Sequence, residues 1–454
     1  MKWIHGRAIR SLLRATVALL VPGLALAAGI EDHRRTTRES FSVEVQRTVL
    51  PNGLVVLLSP DPNASSVAVW MSFRAGALYE GKEHGGLAHL VEHLMFTGTT
   101  RDTNYAALLE QRRARYINAQ TGFDTMTFEA VVPAEELPLA LWVAGDRLAT
   151  LPPRIGAAAL ERQRQVILQE RALRDVDVPY GLVHERIFKE LYAAPHPLHS
   201  GVIGSPDELA AITLDHVRRF AAEYLVPANG VLAVAGRFDP VVARRLVDQE
   251  LGRLPAGRPA PFPAAPPPID PLVRQQAEPL SRLPRVTLAW RLPAITHQDA
   301  AALELGAMLL TFLTDGAWGM GIGADLEEYT GESLFTMELT VPYDEKASAV
   351  AQDASAFLRM LTLREMPLEL MTAANLALDR SVLFALDSVG WRAQVLAQHE
   401  LRVGPEIELT DELTRHWRLE GGQVRDVARA YLKEPHLVLH ARPTRPRPAR
   451  AERE

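Results

Sequence analysis

Apolar runs punctuated by turn formers lay out the first elements of the chain. FSVEVQRTVLPNGLVVLLSP (41–60) has such runs on both sides of Pro51-Asn52-Gly53 and predicts two strands around a turn. SSVAVWMSFRAGA (65–77) predicts another strand, and a helix begins near Gly86. Helical periodicity recurs over 133–150 and 157–175, a further helix falls near 205–225, and NGVLAVAGRF (229–238) returns as a strand. The proline-dense LPAGRPAPFPAAPPPIDP that follows excludes a helix or a central strand and predicts a semi-rigid linker. Beyond it, RVTLAWRLPA (285–294) reads as a strand and DAAALELGAMLLTFL (299–313) as a helix. That order echoes 65–97, so two halves of similar construction are expected.

The helix from Gly86 to Thr97 carries the chemistry. At 100° per residue, Leu87, Leu90, Val91, Leu94 and Met95 form one broad apolar face. His89, Glu92, His93 and Phe96 fall at i, i+3, i+4 and i+7 and form a second stripe. Apolar residues flank both, so three ionisable groups are expected on a helix with little solvent face. Burying them without partners costs several kcal/mol. A lone buried histidine is ordinarily satisfied by a hydrogen bond; two imidazoles one turn apart with a glutamate between them point instead to a shared metal ion. Two such imidazoles can hold zinc at about 2.0–2.1 Å, and Glu92 on the same stripe can take the proton of a water that the ion activates. The spacing is H-x-x-E-H.

Composition narrows the rest. With 454 residues the chain is too long for one ordinary core. A net charge of −6 gives no electrostatic argument for nucleic acid. There is no cysteine, so any transition metal must be held by His, Asp or Glu. MKWIHGRAIRSLLR is basic and runs into the apolar ATVALLVPGLALAA, with Ala25-Leu26-Ala27 as a small-x-small cleavage pattern. This has the form of a secretory leader over 1–28. The apolar run holds Pro22 and Gly23 and is too short to span a bilayer, so a periplasmic protein without a stable membrane anchor is expected.

Two histidines leave a catalytic zinc site short of a protein ligand. In LERQRQVILQERALRD the stripe Gln163, Val166, Ile167, Glu170 and Leu173 reads as core-facing, with a carboxylate in its middle. Glu161 falls about 180° away. Periodicity ranks Glu170 first as third ligand and leaves Asp124 and Glu129 as alternatives. His84 reads as a loop residue, and His196 and His199 in PHPLHS read as a structured turn.

Together these segments resemble the pitrilysin, insulin-degrading enzyme and mitochondrial processing peptidase family of zinc metallopeptidases. FRAGALYEGKEHGGLAHLVEHLMFTGT is similar to its zinc-helix signature, RQVILQERALRD to its distal glutamate segment, and YINAQTGFDTMTF to its Asn-Ala strand. YLVPANGVLAVAGRFDP is similar to the end of its first domain. The resemblance implies an α+β fold of two homologous domains, each an antiparallel sheet backed by helices, with paired chains closing around a chamber. It implies one Zn2+ on His89, His93 and Glu170, Glu92 as general base, and unfolded peptides bound as an added strand near Asn118 and Ala119. The domains expected on this basis are a zinc-binding one over 40–253, a linker over 254–272 and an inactive homologue over 273–442. A disordered basic tail is expected over 443–454.

Two departures qualify the resemblance. A family glutamate seven residues before the zinc glutamate is here Gln163, which keeps a contact behind the ligands, as Phe96 does on the zinc helix, but loses a charge. The family's substrate-binding Arg and Tyr are missing from GAWGMGIGADLEEYTGESLFTMEL, where Leu334 or Phe335 takes the second Tyr position and Tyr329 is out of register. The expectation is the zinc-holding subunit of a heterodimeric peptidase whose non-identical homologue carries the Arg-Tyr pair. The alternative is a non-catalytic zinc-containing scaffold or peptide-binding subunit; an unrelated zinc amidohydrolase does not explain the two similar halves.

Overall fold

The turn at Pro51-Asn52-Gly53 forms as expected: Gly53 takes a positive φ of 87° and joins antiparallel strands β1 (Gln46–Val49) and β2 (Val55–Pro60). The computed structural model describes residues 42–81, 84–95, 104–261, 267, 269–293, 297–314, 322–340, 358–359 and 361–444. The expected leader, Phe96, part of the linker and most of the tail lie outside these residues.

The first half continues with β3 (Ser66–Phe73), α1 (Leu87–Leu94), α2 (Tyr105–Gln111), β4 (Tyr116–Thr121), β5 (Met126–Pro133), α3 (Leu137–Arg154) and α4 (Ala157–Arg171). It ends with α5 (Leu182–Leu191), α6 (Pro206–Ala211), α7 (Leu214–Tyr224), β6 (Gly230–Gly236) and α8 (Pro240–Glu250). The helix expected near 205–225 is therefore two. Thr213 breaks it by adopting an extended conformation and accepting the His216 amide at 3.3 Å, which starts a new helix. The second half runs β7 (Leu272–Glu278), β8 (Arg285–Pro293), α9 (His297–Thr314), β9 (Ile322–Tyr329), β10 (Glu332–Thr340) and α10 (Leu368–Asp387). It closes with α11 (Val389–Arg402), α12 (Leu409–Leu413), α13 (Gly421–Tyr431) and β11 (Leu437–Pro443).

Two sheets result, ordered β1-β2-β6-β3-β5-β4 and β7-β11-β8-β10-β9. Apart from β1 they share one topology. In each half the opening strand runs parallel to the closing strand, β2 beside β6 and β7 beside β11, and every other neighbour is antiparallel. The echo in the sequence is thus a repeated α+β unit, and β4 and β9 are its matching free edges.

Each half completes the other's sheet. The inner face of the first sheet packs on its own helices, with Val69, Met71, Phe128 and Val234 against Leu90, Leu94 and Leu141. Its outer face, including Leu57, Ala68 and Ala233, is covered by Ala393, Leu396, Ala397 and Leu401 of α11. Small residues one turn apart let that helix lie close to the strands. Reciprocally, α5 packs against β11 of the second sheet, where Ala289, Leu334, Leu437 and Leu439 join the first half's core. Arg47 clasps Glu400 of α11 with two bonds of 2.8 and 2.9 Å.

Asn229 ties three segments of the first half together. It is fully buried; its amide nitrogen donates to the Arg74 and Tyr224 carbonyls, both at 2.8 Å, and its oxygen accepts from Ala260 at 2.9 Å. Asn229→Ala leaves those groups unpaired and is expected to lower stability by roughly 2–3 kcal/mol, read as a shift in the urea unfolding midpoint.

Candidate functional site

The start of α1 is fixed by two residues. Gly86 sits at φ 85°, where a Cβ would come 2.6 Å from the Ile203 carbonyl oxygen, so glycine alone fits. Glu80, almost fully buried, then accepts the Gly86 and Ala88 amides at 3.0 and 2.7 Å. It satisfies donors that the helix cannot pair and places a carboxylate at the positive end of the helix dipole. Burial, with a smaller push from Glu208, drives the Glu80 pKa well up, and the two amides oppose that. Every residue of α1 except His93 is buried.

That helix brings His89 and His93 together with Glu170 from the end of α4. The two Nε2 atoms are 3.2 Å apart, and Glu170 Oε2 lies 3.3 Å from His93 and 3.6 Å from His89. Tetrahedral zinc with bonds of about 2.0–2.1 Å needs ligand atoms about 3.3 Å apart. The three atoms therefore match one face of such a tetrahedron. They form the one metal-competent His/Asp/Glu group of this kind among the described residues. The donor set, two nitrogens and a carboxylate oxygen, suits zinc.

The electrostatics suit a cation as well. Burial and the neighbouring His93 push His89 down to about 4. Glu170 is held at about 2 by its hydrogen bond to His93 against the cost of burial, and Arg174 binds its other oxygen at 2.7 Å. Burial lowers His93, but Glu170 and Glu92 outweigh it and leave its pKa raised. Behind the ligands, Gln163 Oε1 lies 3.3 Å from His93 Nδ1.

Glu92 stands beside this group but ligates nothing in it. It is buried, and Thr121 of β4 donates to it at 2.6 Å. Burial raises its pKa, with the Thr121 bond and His93 opposing. All four side chains line a cavity of about 790 Å³ that β4 borders from Ile117 to Thr121. The Gly122 amide donates to the Thr125 carbonyl and closes the β4–β5 hairpin. By antiparallel alternation, the backbone groups of Ile117, Ala119 and Thr121 then point to the open edge.

The other expected site residues are spread around this centre. Ala119 faces the cavity, whereas the Asn118 side chain turns to the opposite sheet face and donates to the Tyr116 hydroxyl at 3.0 Å. The alternatives to Glu170 do not converge: Asp124 accepts from Thr330, and Glu129 lies in register with Trp70 and Asn118 on that opposite face. Glu161 points outward to Arg164 and Gln165. His84 stacks on His216, and His196 and His199 cap and brace a short turn.

The stripe drawn on α4 needs correction. Val166 is 44% exposed and Leu173 71%, and the buried line runs through Leu160 and Ile167 to Glu170. The helix ends at Arg171 in a π-helical turn over Ala172–Val176, which carries Leu173 away from the core. Sequence reasoning missed Glu80, Thr121 and Arg174. Of these only Arg174, one turn from Glu170, left a pattern to read.

Family comparison accords with this geometry. Residues 55–197 match the model described as Insulinase (Peptidase family M16), and residues 211–377 match the Peptidase M16 inactive domain. The chain belongs to the insulinase family of peptidases. An uncharacterized zinc protease of Mycobacterium tuberculosis is 32% identical over 256 residues, 56% of this chain and 55% of that protein. The chain thus spans about half the length of such curated relatives. A crystal structure of a protease from Helicobacter pylori matches at TM-score 0.81 and 22% identity, covering 88% of this chain and all of that one. The periplasmic protease PqqL from Escherichia coli matches at TM-score 0.69 and 20% identity, covering 88% of this chain and 48% of that one.

Glu80→Ala is expected to weaken zinc binding about 10–100-fold in calorimetric titration, because both histidines ride on the helix it caps. With its pKa raised, His93 holds its proton to higher pH than a free imidazole, and a metal must displace that proton. Zinc affinity should therefore fall as pH drops from 8 to 6 and binding should release a proton, measured by titration in buffers of different ionisation enthalpy.

Proposed function

We propose that the protein is an exported zinc endopeptidase or oligopeptidase acting on unfolded peptides, and the zinc-holding subunit of a heterodimer. The observation that carries the reading is the convergence of His89, His93 and Glu170 with a fourth, non-ligating carboxylate, Glu92, beside them. Zinc held by those three residues supplies Lewis acidity and brings the pKa of water toward 7.

The chain's own groups do the rest. The open edge of β4 holds an extended peptide by main-chain hydrogen bonds, which gives affinity with loose sequence preference. Glu92, oriented by Thr121 and made more basic by burial, takes the proton of the attacking water and returns it to the leaving amine. Glu170 is turned by Arg174, and His93 by Gln163, so the ligands are held before substrate arrives.

Export is supported by the basic and then apolar pattern of residues 1–28. No helix among the described residues is long and apolar enough to cross a membrane. The heterodimer is supported by Leu334 and Phe335: both are wholly buried, so neither offers a polar group where the family's second Tyr is expected. The same observation favours the second reading, a non-catalytic subunit. One experiment separates them. The chain is purified with a homologous subunit bearing the Arg-Tyr segment, and an unstructured peptide is assayed with wild type and Glu92→Gln. A fall of about 10²–10⁴-fold in turnover with full zinc content is expected for the mutant. Equal cleavage by both forms overturns the peptidase, and full activity from this chain alone overturns the heterodimer.

A further inference from the structure

Gln120 borders two cavities, one on each side of the first sheet: the zinc cavity and a second of about 700 Å³ on the outer face. We propose that this second cavity is a side-chain subsite of the peptide groove and takes a lysine or arginine side chain of the bound strand. The proposal rests on the reading of β4 as the peptide-binding edge and extends it to specificity.

Geometry supplies the first argument. Successive side chains of a strand point to opposite faces. A peptide paired with β4 therefore turns every second residue toward zinc and the residues between them toward the outer cavity. Tyr116, Asn118 and Gln120 of β4 already follow that alternation, as the Asn118–Tyr116 bond on the outer face shows.

The walls supply the second. Trp70 and Tyr116 are stacked with ring planes 9° apart and centroids 6.5 Å apart. Trp391, delivered from the second half at the start of α11, lines the same cavity while 58% exposed. Glu129 lies on β5, between the strands that carry Trp70 and Tyr116, and is 4% exposed; Tyr116 hydrogen-bonds its carboxyl, while its Oε2 has no hydrogen-bond partner among the described residues. A buried carboxylate is stabilised by a cation, and aromatic faces accept both a cationic head and its aliphatic stem. Asp387 and Asp61 bring the acids of the lining to three, Asp61 being paired with Arg392 at 3.2 Å, and Arg115 is the one cation in the lining among the described residues. The pocket therefore carries more acid than base.

The test scans Lys, Leu and Glu along one unstructured peptide. Affinity is read by fluorescence anisotropy on the full chain carrying Glu92→Gln, and kcat/KM on the chain with its partner. About tenfold tighter binding of Lys over Leu is expected at every second position. Trp391→Ala, at an exposed site, and Glu129→Gln should each bring that ratio close to one. Equal affinity for Lys and Leu peptides, or a preference unchanged in both variants, overturns the subsite. Selective binding without turnover by the wild-type complex overturns the peptidase reading alone.

Discussion

Everything at the centre of this molecule follows from placing two imidazoles and a carboxylate on an eight-residue helix that has almost no water around it. Such groups are tolerated only when each is answered by an opposite or complementary one. The answers come from two other parts of the chain, Thr121 on β4 and Glu170 and Gln163 on α4, while Glu80 pairs the amides at the helix start. The site is thus a structural requirement as well as a chemical one. Glu92 is the buried carboxylate of the group that the metal-competent cluster itself does not use.

The second organising feature is an exposed edge strand. Edge strands usually carry some device against pairing with other chains. β4 carries neither proline nor lysine. Among the described residues no strand pairs its outer edge, which lies beside the candidate base with a cavity on each face of the sheet. One of the six residues of β4, Thr121, also holds the carboxylate of Glu92.

The zinc helix was legible because its message is local: spacing within one helix fixes which side chains share a face. The halves were legible from a proline-rich break and a repeated strand-then-helix order, and the topology shows how closely that order repeats. The stripe that ranks Glu170 first is only partly the buried one. Val166 and Leu173 are apolar yet exposed, so the stripe that ranked it was drawn too wide, although its centre was right. What remained hidden was contact between distant segments. Glu80 has no periodicity to betray it, and its role depends on a turn that folds the chain back over six residues. The Glu129 pocket is closed by residues more than 250 positions away, which no window along the sequence can join.

The exchange of covering helices between halves has a mechanical consequence. To swing apart, the halves would have to strip α11 from the outer face of one sheet and α5 from the face of the other, exposing two apolar layers to water. A hinge inside this chain is therefore closed off on energetic grounds. The covering helices therefore tie the two halves to each other through apolar surface, and the position of β4 relative to α11 is held by the same packing.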